Sequence, residues 1–163
     1  MATEPANLTE WISLSPPGPG SRLFTCGRPG RAIYKREKVQ IDEETIDLWV
    51  RGLPEVDQLH LVSLLGCKPS GYSEFGYYPF RSSKEADSRP TMQDWLDQRY
   101  PGRFVVHEFP TVDARAIGPE MLAKVTLAVL ALLGDHSTVV IMDSAGAERT
   151  ARVCEAIGYE IRN

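Results

Sequence analysis

The sequence predicts an α/β fold, a central and mostly parallel sheet flanked by helices. Three observations carry this. Residues 59–65 and 138–142 are short, near-continuous apolar runs, as expected of strands covered on both faces. Segments of helical spacing lie between such runs, each bounded by capping and stop residues. Strand and helix then alternate along the chain, which is the pattern of parallel βαβ units.

Each element has its own reason. Residues 1–20 end in Ser15-Pro16-Pro17-Gly18-Pro19-Gly20 and read as an N-terminal extended arm, pinned to the core by Trp11 and Leu14. Residues 21–26 form a short strand stopped by Gly27-Arg28-Pro29-Gly30. Arg31, Lys35, Arg36 and Lys38 make the next stretch a basic, solvated loop. Residues 42–52 are a helix: Asp42 caps it, Glu43 and Glu44 suit its first turn, and Ile46, Trp49 and Val50 share a face. Gly52 and Pro54 end it. Residues 75–80 read as a strand broken by Pro79, and residues 81–89 as an exposed loop. Thr91 caps a helix over residues 91–100 that carries Met92, Trp95 and Leu96, with Pro101-Gly102 beyond it. Residues 104–109 alternate and meet Pro110, so they form a strand. Residues 118–133 are the strongest helix, with Pro119 at its first position and Gly134 just past its end. Residues 147–157 make a last helix before Gly158.

A chain of 163 residues is one domain with a real core, here residues 21–163 behind the arm. Its 42% hydrophobic and 25% charged residues are ordinary for a globular protein. The net charge of −4 argues against nonspecific binding to nucleic acid or acidic membranes. Cys26, Cys67 and Cys154 form no CxxC pair and are odd in number, which fits a reducing, cytoplasmic setting. The first ten residues lack a secretory pattern. The apolar segment 121–133 is too short to cross a bilayer and contains Lys124.

His60, His107 and His136 are scattered without metal-ligand spacing, so no metal site and no cofactor is expected. Cys154, Trp49 and Trp95 read as core. Tyr72, Phe75, Tyr77 and Tyr78 form an aromatic cluster whose default is core packing. The chemistry concentrates in residues 139–150, Val-Val-Ile-Met-Asp-Ser-Ala-Gly-Ala-Glu-Arg-Thr. A buried strand ends at Asp143, a small-residue turn follows, and a helix opens. That geometry collects free N–H groups and a helix dipole at one point and suits an oxyanion. Asp143 also has a plainer reading, a carboxylate satisfied by the N–H groups of a strand-to-helix turn. Glu148 reads as a solvated carboxylate at the helix start.

The stretch resembles the signature loop of the cysteine-dependent protein tyrosine and dual-specificity phosphatases: Cys, five residues, Arg, then Ser or Thr. Arg149 and Thr150 keep the spacing, and Asp143 holds the nucleophile position. Phe109-Pro110-Thr111-Val112-Asp113 resembles the family's general-acid loop, with Asp113 thirty residues before Asp143. Leu23 to Pro29 looks like the early strand and Gly-x-Pro turn of small members. The resemblance implies a phosphatase-like α/β domain whose helical part is shortened at the C-terminal side. It further implies a phosphate-binding loop of Ser144, Ala145, Gly146, Ala147, Glu148 and Arg149, with donors pointing inward and Arg149 across the mouth. Asp113 would be the general acid, and Thr150 the hydroxyl that helps a sulfur leave.

Aspartate in place of cysteine changes the expectation. A carboxylate takes up the loop's own donors and repels a phosphate dianion, by about 4 kcal/mol for unit charges roughly 4 Å apart at an effective dielectric near 20. Magnesium-dependent phosphatases with an aspartate nucleophile carry Asp-x-Asp, and residue 145 is alanine. The expected function is a catalytically impaired phosphatase-like protein. It would bind a phosphorylated protein, another phosphomonoester or a protein partner through this loop, with no nucleic-acid or membrane partner. An engineered inactive form of an active phosphatase, a phosphohydrolase using Asp143 directly, and an unrelated α/β binding domain are the alternatives.

Overall fold

The computed structural model describes residues 5–13, 20–31 and 40–163. The elements in chain order are β1 (Thr9–Ser13), β2 (Arg22–Gly27), α1 (Glu43–Arg51), β3 (Leu59–Ser63), α2 (Met92–Arg99), β4 (Phe104–Glu108), α3 (Pro119–Gly134), β5 (Thr138–Asp143), α4 (Glu148–Ala156) and β6 (Tyr159–Ile161). The six strands form one sheet in the order β4-β3-β5-β2-β1-β6. The four strands from β4 to β2 run parallel, and β1 and β6 add an antiparallel edge. This is the mostly parallel sheet with flanking helices that the sequence predicts.

The pleat divides the core. On one face Phe24, Leu61, Val140 and Met142 pack with Ile46 and Trp49 of α1, Trp95 and Leu96 of α2, and Phe75, Tyr78 and Phe80. On the other, Leu23, Val62, Val139 and Ile141 meet Val125, Val129 and Leu133 of α3 and Val153 and Cys154 of α4. Strand β5 is buried along its whole length. Each of its apolar side chains contributes about 1.5–3 kcal/mol by leaving water.

The caps on α1 and α2 are those read from sequence. Asp42 Oδ1 accepts from Thr45 N at 2.8 Å, and Thr91 Oγ1 accepts from Asp94 N at 3.1 Å. The end of α3 differs. Gly134 is still helical, and the positive φ falls on His136 at 61°. His136 N donates to Leu133 O and Ser137 N to Leu132 O, a Schellman closure set two residues later than expected.

The N-terminal arm is partly a strand. Thr9–Ser13 pairs with both β2 and β6, and Trp11 is buried with its indole N–H donating to Thr25 Oγ1 at 3.0 Å. Leu14, the Pro/Gly run through Pro19, and Lys35, Arg36 and Lys38 lie outside the described residues. Residues 75–80 are not a strand. Pro79 has no N–H to donate, and Gly76 and Tyr78 donate locally to Ser73 O and Phe75 O. The carbonyls of Phe75, Tyr78 and Phe80 instead converge on Arg89 Nη1 at 2.6–3.2 Å. The 81–89 stretch is the expected loop, exposed at Ser83, Lys84 and residues 86–88, and it is anchored by a buried Ser82 and a half-buried Arg89. Among the described residues, no helix is long and apolar enough to cross a membrane.

Candidate functional site

Strands β2 and β5 end level with each other, Gly27 beside Asp143, and this sets the floor of the site. The loop 144–147 leaves β5 there and folds back over β2. Gly146 adopts φ of 72°, and a Cβ on it would lie 2.5 Å from both Cys26 C and Gly27 N. Only glycine meets both demands.

Helix α4 begins with Ala147 at its N-cap, which has no side chain to offer. Asp143 takes over that task from the strand end. Its Oδ1 accepts from Gly146 N, and its Oδ2 accepts from Thr150 N, the third helical residue, at 3.0 Å. Asp143 is 2% exposed. Burial of the neighbouring Cys26 thiol, and secondly the Asp143 charge, push that thiol's pKa upward. Thr150 is buried, and its hydroxyl faces the Ala147 carbonyl at 3.4 Å.

Arg149 lines the cleft beside Asp113 and Asp143, and its charge is matched by carboxylates of the chain itself. It is 5% exposed. Glu74 takes both of its terminal nitrogens, Nη1 to Oε1 at 3.1 Å and Nη2 to Oε2 at 3.2 Å. Nη2 also donates to Asp113 Oδ1 at 3.1 Å. Nη1 donates to Thr111 Oγ1 at 2.8 Å and to the Leu64 carbonyl at 3.3 Å. Burial works against this guanidinium's charge, but the Glu74 pairing, with Asp143 and Asp113 behind it, raises its pKa above the ordinary arginine value. A buried cation needs close partners, and Glu74 supplies a bidentate one.

Glu74 is the functional-site residue that sequence reasoning missed. It is 1% exposed, and Gly66 N donates to its Oε1 at 3.0 Å. Its one sequence signal is a lone carboxylate within the aromatic stretch Tyr72 to Tyr78. The 110–113 segment is stitched to the chain after β3. Thr111 N and Oγ1 both donate to Leu64 O, Cys67 N donates to Thr111 O, and Asp113 N donates to Cys67 O. Asp113 thus reaches the same cleft as Asp143. A cavity of about 230 Å3 is lined by Arg31, Asp113, Asp143, Ala145, Glu148 and Arg149, among others.

The structure therefore brings Asp143, Arg149, Asp113 and Thr150 together with Ser144, Ala145, Gly146, Ala147 and Glu148. The arrangement has internal acceptors for one loop N–H, one helix N–H and both terminal nitrogens of the guanidinium. Three carboxylates, of Asp143, Glu74 and Asp113, surround one arginine. A phosphate dianion entering this cavity meets surplus negative charge. Among the described residues, no group of three or more His, Cys, Asp or Glu side chains is arranged to hold a metal ion.

No family model matches the chain, and no curated protein matches it. A search of solved structures finds the crystal structure of kinase associated phosphatase with its catalytic-site cysteine substituted by serine. The match has a TM-score of 0.62 at 17% identity and covers 95% of this chain and 74% of that chain. The architecture described above is thus a phosphatase-like α/β fold.

Proposed function

We propose that this protein is a catalytically silent member of the phosphatase-fold proteins, acting in the cytoplasm as a binding module for a phosphorylated protein or other phosphomonoester. One observation carries the reading. The loop that would hold a phosphate is satisfied from within, because both Asp143 oxygens accept loop or helix N–H groups and Arg149 is committed to Glu74 and Asp113. A carboxylate held in this way is a poor nucleophile, since whichever oxygen attacks has its charge already drawn to an N–H donor. The fold supports ancestry in the phosphatases, and the three cysteines, free and without disulfides, support a reducing compartment.

Turnover of p-nitrophenyl phosphate tests it. The protein as it stands gives no turnover above background. Asp143→Cys gains turnover, because the loop donors then favour a thiolate and Asp113 stands within the cleft. Arg149→Ala in the cysteine background loses it again. Arg149-dependent turnover by the Asp143 protein would contradict the silent reading.

A further inference from the structure

Helix α3 is apolar on both sides. Its inner stripe, Val125, Val129 and Leu133, is buried with side chains of β5 and α4. Its outer side carries Ala123, Leu127, Leu130, Ala131 and Gly134, all exposed. Leu127 is 68% exposed and Leu130 47%, and Leu127 is the most exposed large apolar side chain among the described residues. Of the 16 residues in the helix only Glu120 and Lys124 are charged. A surface helix turns a polar face to water, and a helix apolar all round is one that something covers.

The spacing of the outer stripe suits another helix. Ala123, Leu127, Leu130 and Gly134 follow at intervals of four, three and four residues, the repeat by which two helices pack along one seam. The stripe is also close to a palindrome, two leucines in the middle and a small residue at either end. Two copies laid antiparallel about a twofold axis between Leu127 and Leu130 set each Leu127 against the other copy's Leu130. Ala123 then meets Gly134, where small residues let the helices close.

Charge favours the antiparallel arrangement over the parallel one. Lys124 and Asp135 lie on the same flank of the stripe, both are exposed, and neither makes an ion pair among the described residues. Helical side chains lean toward the N-terminus of their own helix. In the antiparallel pair Lys124 therefore reaches the C-terminal end of α3 in the second copy, where Asp135 and the negative end of the helix dipole lie. The twofold axis makes this contact twice. Glu120 falls past the end of the second copy's helix and stays in water. A parallel pair would instead set Lys124 beside Lys124 of the second copy.

We propose that the outer face of α3 is a self-association surface. Two copies of this chain pair on it antiparallel, with Leu127 and Leu130 at the twofold axis and Lys124 against Asp135. A helix of 16 residues is about 24 Å long, so the face falls below the roughly 800 Å2 a side of tight complexes, and the dimer is weak and reversible. The pairing does not depend on how the loop at Asp143 is read.

Sedimentation equilibrium of the full chain, from about 5 µM to about 500 µM, tests it. The expected result is a monomer–dimer equilibrium with a midpoint of about 10–100 µM. Leu127→Lys, at an exposed position outside the core, weakens it by about tenfold or more. Lys124→Glu and Asp135→Lys each weaken it about threefold to tenfold. The two together exchange the charges and restore the dimer to within about twofold of the parent. The three positions are exposed, so the circular dichroism of each variant should match the parent and a lost dimer is not a lost fold. A chain monomeric at about 500 µM, a dimer indifferent to Leu127→Lys, or a charge exchange that fails to restore association overturns the proposal. In the first case, Leu127-dependent binding to phosphatidylcholine vesicles would assign the face to a lipid surface instead.

Discussion

A guanidinium 5% exposed keeps its charge only where partners replace its lost water, and Arg149 has four of them. Glu74 is the strongest because it is bidentate and itself 1% exposed. Removing one partner of a buried pair leaves the other uncompensated, at a cost of about 3–5 kcal/mol. Glu74→Gln keeps the shape and removes the charge. Its unfolding free energy, read from urea midpoints, should fall by about 3 kcal/mol. A loss under about 0.5 kcal/mol would mean that Asp113 alone carries Arg149, since that is the scatter of ordinary surface substitutions. The same residue marks the limit of what the sequence disclosed. Asp143, Arg149 and Asp113 were found because they keep a spacing along the chain. Glu74 keeps none, and its pairing is a contact between segments 75 residues apart.

At the scale of elements, β3 and β4 are joined by a pair of imidazoles as well as by their ladder. His60 Nδ1 and His107 Nε2 lie 2.9 Å apart with the rings stacked, so one nitrogen donates and the other accepts. Both pKa values are held below the ordinary 6.5. For His60 the cause is burial, partly offset by Asp135; for His107 it is burial and then the charge of His60. The folded state therefore takes up these protons less readily than the unfolded chain. The stability linked to the pair is whole above pH 6.5 and drains as pH falls below it, through the lowered folded values. Urea midpoints taken from about pH 7.5 down to about pH 5.5 should drop, and His107→Gln should flatten that part of the slope. An unchanged slope in the variant would assign the loss to other groups. The elements themselves were legible where periodicity and caps agree, as in α1, α2 and α3. They were not legible where tertiary contacts decide. Residues 75–80 carry strand-forming aromatics, yet Pro79 and the three carbonyls on Arg89 make them a turn. Thr9–Ser13 has no pattern of its own and becomes a strand because Trp11 finds a core and β2 offers an edge. Tyr159–Ile161, which was not anticipated, is three residues long and largely exposed, so burial left no mark on its sequence.

Across the whole molecule, the sheet is the device that assembles the site. Parallel strands β2 and β5 end side by side, so the loop after β5 closes over the end of β2 at Gly27. The 110–113 segment comes from the far strand β4 and is brought in by its stitching to the chain after β3. The fold is phosphatase-like, and the loop after β5 sits on a carboxylate that takes two of the chain's own N–H groups. The central claim is that Asp143 fills the place of the phosphate. A crystal of the protein soaked in tungstate, with the metal located by its anomalous scattering, tests this most directly. The account predicts no tungstate on the loop between Asp143 and Arg149, and entry into the loop once Asp143→Ser removes the carboxylate. Tungstate seated on the loop of the unaltered protein, with Arg149 turned from Glu74 to meet it, would contradict the account.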